Sequence, residues 1–409
     1  MEWRRIRLGD YISIKSGLAY SGSKIGKGDS VLLGMGCVSF KDKFVESGAR
    51  PYDDICDDRF VVKPGDIVLA TRQQSDNLPI LAMPAIIPNS YQNKRVIFGT
   101  NLYKVENKSE INNRFLFWLF KHQHYVNYIA GVKSGTAVQM VTKKNVEDYK
   151  FLCPPANVRE SISNILWTYD NLIENNNRRI RLLEKMAENL YKEWFVRFRF
   201  PGHEKAEFEN GLPRGWKIEH IGDVCDTLGG GTPSTNKPEY WNGDIKWVTP
   251  TDITTKNSLP LLSIEGRITE EGLKNSSAKL LPPYTILMTG RASIGYFGLA
   301  PYPVCTNQGF ISIIPNMVNM RMYILHNLMT RKDEIIMNAN GATFLEISKG
   351  RFRKMKIVVP DDNTLNAFEK RANDIFMQVL KIEKQSTLLS RQRDLLLPRL
   401  MSGKLEVKV

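Results

Sequence analysis

The strongest constraint on how this chain folds is a run of residues between Asn157 and about Arg199, spaced alternately four and three apart. It reads Ile162, Leu166, Tyr169, Ile173, Asn176, Ile180, Leu183, Ala187, Leu190 and Trp194. This is the seam of a coiled coil, narrower than the stripe of an ordinary surface helix. Adding 206 to each number gives a second seam: Phe368, Ala372, Ile375, Val379, Ile382, Ser386, Leu389, Arg393, Leu396 and Leu400. Two long helices in one register predict a duplicated architecture.

The rest of the chain carries the same duplication. Trp3 and Leu8-Gly9-Asp10 return as Trp216 and Ile221-Gly222-Asp223, an offset of 213. From about Thr100 the offset is 206: Thr100-Asn101 matches Thr306-Asn307, and Ser134-Gly135-Thr136-Ala137 matches Asn340-Gly341-Ala342-Thr343. Lys143, Lys150 and Pro154 match Lys349, Lys356 and Pro360. A unit this long is a whole domain followed by a helix, not a solenoid repeat.

Each globular part reads as mixed, with strands predominating. Short apolar runs bounded by Gly and Pro predict strands near 66–70, 95–98, 149–153, 285–288, 310–314 and 355–359. One helix is expected in each copy, over 113–130 and 320–337. The stretches 11–95 and 224–300 differ most between copies and carry the Gly, Ser, Thr, Asn and Pro of loops. Asn157 and Asn363 are expected N-caps of the long helices, and Pro398 an early stop or kink, with Gly403 closing the second helix.

Asn176 occupies a seam position. It either fixes register at a cost in stability or marks a solvated turn. Paired antiparallel with each other, the helices would carry the two domains to opposite ends of a rod; the alternative is that each pairs with another chain. About 35 helical residues span roughly 50 Å, or roughly 15 base pairs of DNA.

The chain has 409 residues and a formal charge of +14, which suits a polyanionic partner. No basic amphipathic anchor accompanies that charge, so nucleic acid is favoured over membrane. Five scattered cysteines without a C-x-x-C predict reduced thiols and no zinc site. His122 and His124, two apart in an expected helix, should point to different faces. No apolar run is long enough to span a bilayer, and the N-terminus lacks a signal-like apolar core, so a soluble cytoplasmic protein is expected.

Enzyme motifs fail in turn. Gly17 to Lys24 has the wrong order for a phosphate loop, and Gly229-Gly230-Gly231 lacks the setting of a dinucleotide site. Leu281-Pro282-Pro283-Tyr284 has the shape of an amino-methyltransferase motif without its polar first residue. Asp361-Asp362 suits the start of a helix better than a nuclease carboxylate pair. No catalytic or metal-ligating residues are expected.

What remains is loop chemistry. Arg72, Gln73, Gln74 and Ser75 follow one predicted strand, and Arg291 and Ser293 follow its equivalent. Arg is the usual bidentate partner of guanine, and Gln or Asn of adenine. A second pair of loops holds Ser134, Thr136 and Gln139 in one copy and Asn340 and Thr343 in the other. Lys143 and Lys349 follow them and would suit phosphates. Each of these residues taken singly is most simply a surface side chain; the pairing across the repeat singles the loops out as sets.

On these residues the chain resembles specificity (S) subunits of Type I restriction–modification systems. The resemblance is carried by Leu182-Leu183-Glu184-Lys185-Met186-Ala187-Glu188-Asn189-Leu190-Tyr191-Lys192-Glu193-Trp194-Phe195 and onward to Pro201-Gly202, and by Leu212-Pro213-Arg214-Gly215-Trp216. Trp241-Asn242-Gly243-Asp244-Ile245-Lys246-Trp247 and Leu395 to Gly403 extend it. No Leu-Pro-x-Gly-Trp leader like that at 212–216 precedes the first domain.

The resemblance implies an α+β protein with two similar, mainly β target recognition domains, each followed by a long helix, the helices pairing as an antiparallel coiled coil. Residues 1–155 and 216–361 would be the recognition domains, 156–200 and 362–403 the helices, 201–215 a linker and 404–409 a tail. It implies recognition of a split double-stranded DNA target without catalysis. Helix pairing and docking of two methyltransferase (M) subunits would fall to Ile162, Leu166, Ile173, Asn176, Ile180, Leu183 and Leu190 with Phe368, Ile375, Val379, Ile382, Leu389 and Leu396. S-adenosylmethionine, ATP and Mg would sit on M subunits and, where present, a restriction (R) subunit, and no cofactor on this chain. Because the two loop sets differ, the expected target is asymmetric. The competing reading is a coiled-coil scaffold without sequence-specific DNA reading.

Overall fold

The computed structural model describes residues 3–53, 56–74, 80–256, 258–341 and 344–407. It divides into two compact units, Met1–Leu172 with Leu389–Val409, and Ile173–Leu388. The first long helix, Ala156–Tyr191, continues as a π-helical turn to Val196. The second runs Asp362–Met401. Each helix therefore contributes to both units.

The two units repeat one strand plan. In the first, an antiparallel sheet orders Ile12–Ser16, Leu102–Asn107, Ile67–Ala70 and Pro84–Ile86. The second unit has Cys225–Gly229, Phe310–Pro315, Ile286–Thr289 and Phe297–Leu299 in that order. A second sheet mixes one parallel pair with antiparallel ones, Ile25–Leu33 against Val96–Phe98 in one unit and Trp241–Val248 against Cys305–Thr306 in the other. A closing two-stranded ribbon pairs Arg4–Arg7 with Lys150–Cys153, and Lys217–His220 with Lys356–Val359. Arg4 faces Cys153 and Lys217 faces Val359, so the register repeats with the sequence offsets.

The predicted strands are all present, but 11–95 and 224–300 hold further strands where loops were expected. Glycine there bends strands rather than ending them. Gly26 and Gly28 take φ of +87° and +79° at a register shift between Ile25 and Ser30, a backbone that a side chain would strain.

Each single helix expected in the globular parts is two. His122 adopts an extended ψ of 137° between Asn113–Lys121 and Gln123–Val132. Arg331 likewise separates Arg321–Thr330 from Lys332–Met337. The break also brings the His122 and His124 rings into a stack at 5.9 Å, correcting the expectation of different faces. The first of these helices is buried from Phe115 through Lys121. The Lys121 ammonium donates to the carbonyls of Phe40 at 3.0 Å and Asp42 at 2.9 Å, and burial pushes it down to about 8.

The seams pack antiparallel within each unit. In the first, Ile162 and Leu166 share a core with Leu397 and Leu400. In the second, Ile180 packs with Val379 and Ile382, and Tyr191 lies 6.1 Å from Phe368. Asn176 is buried within continuous helix, its amide 3.5 Å from the Gln385 carbonyl oxygen, so it is no solvated turn.

The helix starts differ from expectation. Asn157 lies inside the first turn, because the helix begins at Ala156. The second helix is capped by Asp361, not Asn363. Asp361 accepts the Thr364 N–H at 3.0 Å, the Thr364 hydroxyl at 2.7 Å and the Trp216 indole N–H at 3.1 Å. Burial pushes its carboxyl up, but these hydrogen bonds outweigh burial and hold it below the ordinary range. Pro398 does not stop the helix. Leu397, Leu400 and Met401 are buried on either side of it, and that packing offsets one lost hydrogen bond.

Glu184 is a titratable cost in the second unit. It accepts the Leu259 N–H at 2.8 Å. Burial nevertheless pushes its carboxyl up to about 7, and Glu383 adds to the rise. Between the ordinary carboxylate range and about pH 7 the folded chain keeps a proton that the unfolded chain has released. Stability should therefore fall as pH rises through that window. Glu184→Gln should raise the melting temperature more at pH 8 than at pH 5; an equal gain at both would mean the carboxyl titrates normally.

Candidate nucleic-acid interface

The candidate loops, separate in sequence, meet in the fold. In the first unit the fully buried strand Ile67–Ala70 runs into Thr71, whose N–H donates to the Asn101 carbonyl at 3.0 Å. The chain continues as Arg72–Gln73, paired antiparallel with Gln139–Met140. Met140 in turn exchanges both backbone hydrogen bonds with Ser134, at 3.0 and 2.8 Å. Arg72, Met140 and Ser134 thus stand in one row across three segments, and opposed residues in such a ladder share a face.

The second unit builds the same row from Arg291, Glu346 and Asn340. Glu346 bridges Arg291 on one side and exchanges hydrogen bonds with Asn340, at 2.9 and 2.8 Å, on the other. Met140 and Glu346 are 206 apart, as are Ser134 and Asn340. Both turns rest on a glycine. Gly135 has φ +94° and Gly341 φ +135°, and a Cβ would lie 2.2 Å from the Val138 carbonyl oxygen or 2.0 Å from that of Phe344. Only glycine fits either place.

The expected residues fare unequally. Arg72, Gln74, Ser134 and Thr136 are exposed. Gln73 is buried: its amide donates to the Gln139 side-chain oxygen at 2.6 Å, and its own oxygen accepts the Leu81 N–H at 3.0 Å. Lys133 also donates to Gln139, at 3.1 Å, so Gln73 and Gln139 tie the two loops together. In the second unit Arg291, Ser293 and Asn340 are exposed, and Asn340 accepts from Arg351 at 2.7 Å. Ser75 and Thr343 lie outside the described residues.

Lys143 and Lys349 occupy matching places. Each is the exposed first residue of a short helix, capped by Thr142 or Ser348. Three residues escaped the sequence reading. Met140 and Phe344 are exposed apolar side chains beside these loops, and Glu346 carries the carboxylate at the centre of its row. The 206 offset maps Met140 onto Glu346 and Val138 onto Phe344 and could have flagged them.

An open cavity of about 260 Å³ in the second unit is lined by Glu184, Lys256, Tyr296 and Lys332 among others, and by none of the candidate loop residues. Tyr284 of the Leu-Pro-Pro-Tyr stretch packs edge-on against Phe376, as a structural ring. Among the described residues no group of His, Cys, Asp and Glu could hold a metal ion, and no helix is long and apolar enough to cross a membrane.

A family model described as the Type I restriction modification DNA specificity domain matches residues 2–185 and again 213–388. The chain belongs to the Type I restriction–modification specificity-subunit family. Its two matched segments are two copies of the DNA specificity domain. The chain is 24% identical over 412 residues to the Type I restriction enzyme HindI specificity subunit of Haemophilus influenzae, covering 84% of this chain and 87% of that protein. It is 36% identical over 169 residues to the MjaIX specificity subunit of Methanocaldococcus jannaschii, a match covering 41% of this chain and 39% of that one. The solved S subunit from M. genitalium has the same fold, with a TM-score of 0.57 at 13% identity, covering 100% of this chain and 97% of that one.

Proposed function

We propose that this specificity subunit reads an asymmetric, bipartite double-stranded DNA target without catalysing any reaction, each globular domain contacting one half. The observation that carries the reading is the repeated loop row: one backbone frame, with Arg72, Met140 and Ser134 in one copy and Arg291, Glu346 and Asn340 in the other. A shared frame with different side chains is what two readers of different sequences require. The Arg side chains would address guanine, and Lys143 and Lys349 would hold phosphates and fix position.

The paired helices would set the gap between the half-sites and dock two M subunits. Those subunits would bring S-adenosylmethionine and methylate adenine N6. An R subunit, where one is present, would add ATP- and Mg-dependent cleavage. No group on this chain is assigned to either chemistry. A scaffold without DNA reading would account for the helices but gives no role to two matched Arg-bearing rows on a chain of charge +14.

Exchanging residues 1–155 for the matching domain of another specificity subunit should change one half-site of the methylated motif and leave the other intact. A change in both halves would refute modular reading.

A further inference from the structure

The two loop rows differ most at their centre, where Met140 in one copy is replaced by Glu346 in the other. Glu346 stands directly opposite Arg291 in an antiparallel bridge, and the Arg291 Nε lies 3.7 Å from a Glu346 carboxylate oxygen. Both side chains are about half exposed, 48% and 52%, so neither is committed to the core. The backbone beneath them is fixed. The Ala292 N–H donates to the Leu345 carbonyl at 2.9 Å, the Ile347 N–H to the Gly290 carbonyl at 3.0 Å, and the strand behind ends at fully buried Thr289.

A lone arginine on a DNA-facing loop is drawn to any phosphate. An arginine opposed by a carboxylate is not, because a phosphate that approaches the guanidinium also approaches the glutamate. The pair is instead complementary to a base-pair edge that offers two adjacent acceptors with a donor next to them, an order an A·T pair lacks because its donor lies between its acceptors. In the major groove a G·C pair offers guanine N7 and O6 as acceptors and the cytosine N4 amino group as donor.

We propose that Arg291 and Glu346 act as one specificity-determining pair that reads a single G·C pair in the half-site of the second domain. The Arg291 guanidinium donates to guanine N7 and O6, and the Glu346 carboxylate accepts from cytosine N4. Glu346 also rejects phosphates, which would set two negative groups face to face, and any pair that puts an acceptor such as thymine O4 where cytosine N4 would donate. This rests on the DNA-reading function proposed above and adds the residues and the base pair. In the first domain Arg72 faces the uncharged Met140, so the same discrimination is not built there.

The test uses the full chain with its M subunits. Methylated motifs are mapped for the wild type, Glu346→Ala and Arg291→Ala, and binding of the purified complexes to a non-specific duplex is measured against salt. Glu346→Ala should relax one G·C position in one half-site while leaving the other half unchanged. It should also tighten non-specific binding and steepen its salt dependence by about one unit of slope. Arg291→Ala should weaken binding to the intact target about tenfold or more, with little loss on non-specific DNA. An unaltered motif with Glu346→Ala, relaxation of an A·T position, or uniform weakening on every sequence would overturn the proposal. If the wild-type complex itself yields no bipartite motif, the DNA-reading function fails; a wild-type motif that Glu346→Ala leaves intact sinks only the pair.

Discussion

Asp170→Ala should destabilise the first unit by about 3–5 kcal/mol, the cost of stranding a buried charge. Asp170 accepts from the Arg393 guanidinium at 2.6 Å, and their side chains are only 4% and 10% exposed. Arg393 also donates to Asp394 at 2.9 and 2.8 Å and lies 5.5 Å over the Trp118 ring. Burial pushes the Asp170 carboxyl up more strongly than Arg393 pulls it down. Burial also pulls the Arg393 guanidinium down, but Asp170 and Asp394 hold it above its ordinary value, so attraction and desolvation largely offset. Removing both charges together, as in Asp170→Leu with Arg393→Met, should therefore be near neutral or stabilising. The matching positions in the second unit are Phe376 and Ala187, both buried and apolar. The charged pair thus distinguishes this stretch of the paired helices from its repeat. Urea unfolding, with hydrogen exchange resolved to the first unit, measures both variants. A double variant as unstable as Asp170→Ala would show that the pair itself is strongly stabilising.

Phe368→Ala should cost the second unit a similar amount, about 3–5 kcal/mol, through the cavity left by a large aromatic side chain. Phe368 is fully buried, with its ring 4.9 Å from Phe195, 5.8 Å from Trp194 and 6.1 Å from both Tyr191 and His326. Edge-to-face contacts of this kind add to the burial of apolar surface. Phe368→Leu keeps much of the volume and should lose markedly less. The same unfolding measurement decides it; a loss below about 0.5 kcal/mol for Phe368→Ala would mean that the site collapses around the missing ring.

The helices were legible in the sequence because seam periodicity reports burial directly. Ile162, Leu166, Ile180, Val379 and Ile382 are all buried as their spacing predicts. Asn176 and Arg393 showed as polar intrusions, but Asp170 did not, because its partner is 223 residues away. The start of the second helix is displaced from Asn363 because Asn and Asp are interchangeable cap formers. Asp361 prevails over Asn363 through its bond to Trp216, a contact invisible along the chain.

The candidate loops were legible as sets and not as surfaces. Their equivalence across the repeat follows from sequence offsets alone. That 72–73 pairs with 139–140, and Arg291 with Glu346, depends on strand order. Gln73 looked like a base reader by residue type, yet its position on the paired ribbon turns it inward to Gln139 and Leu81. Glu346 carries no signal by residue type, since basic and amide side chains are the usual DNA contacts, and only the pairing shows what it opposes.

If the proposed function holds, this chain selects the DNA sequence on which partner subunits act. Co-expression with a Type I methyltransferase subunit, followed by mapping of N6-methyladenine across the host DNA with and without this chain, measures this directly. An asymmetric bipartite motif that vanishes when the chain is deleted is the expected result. A stable complex that yields no such motif, or a palindromic one, would contradict it.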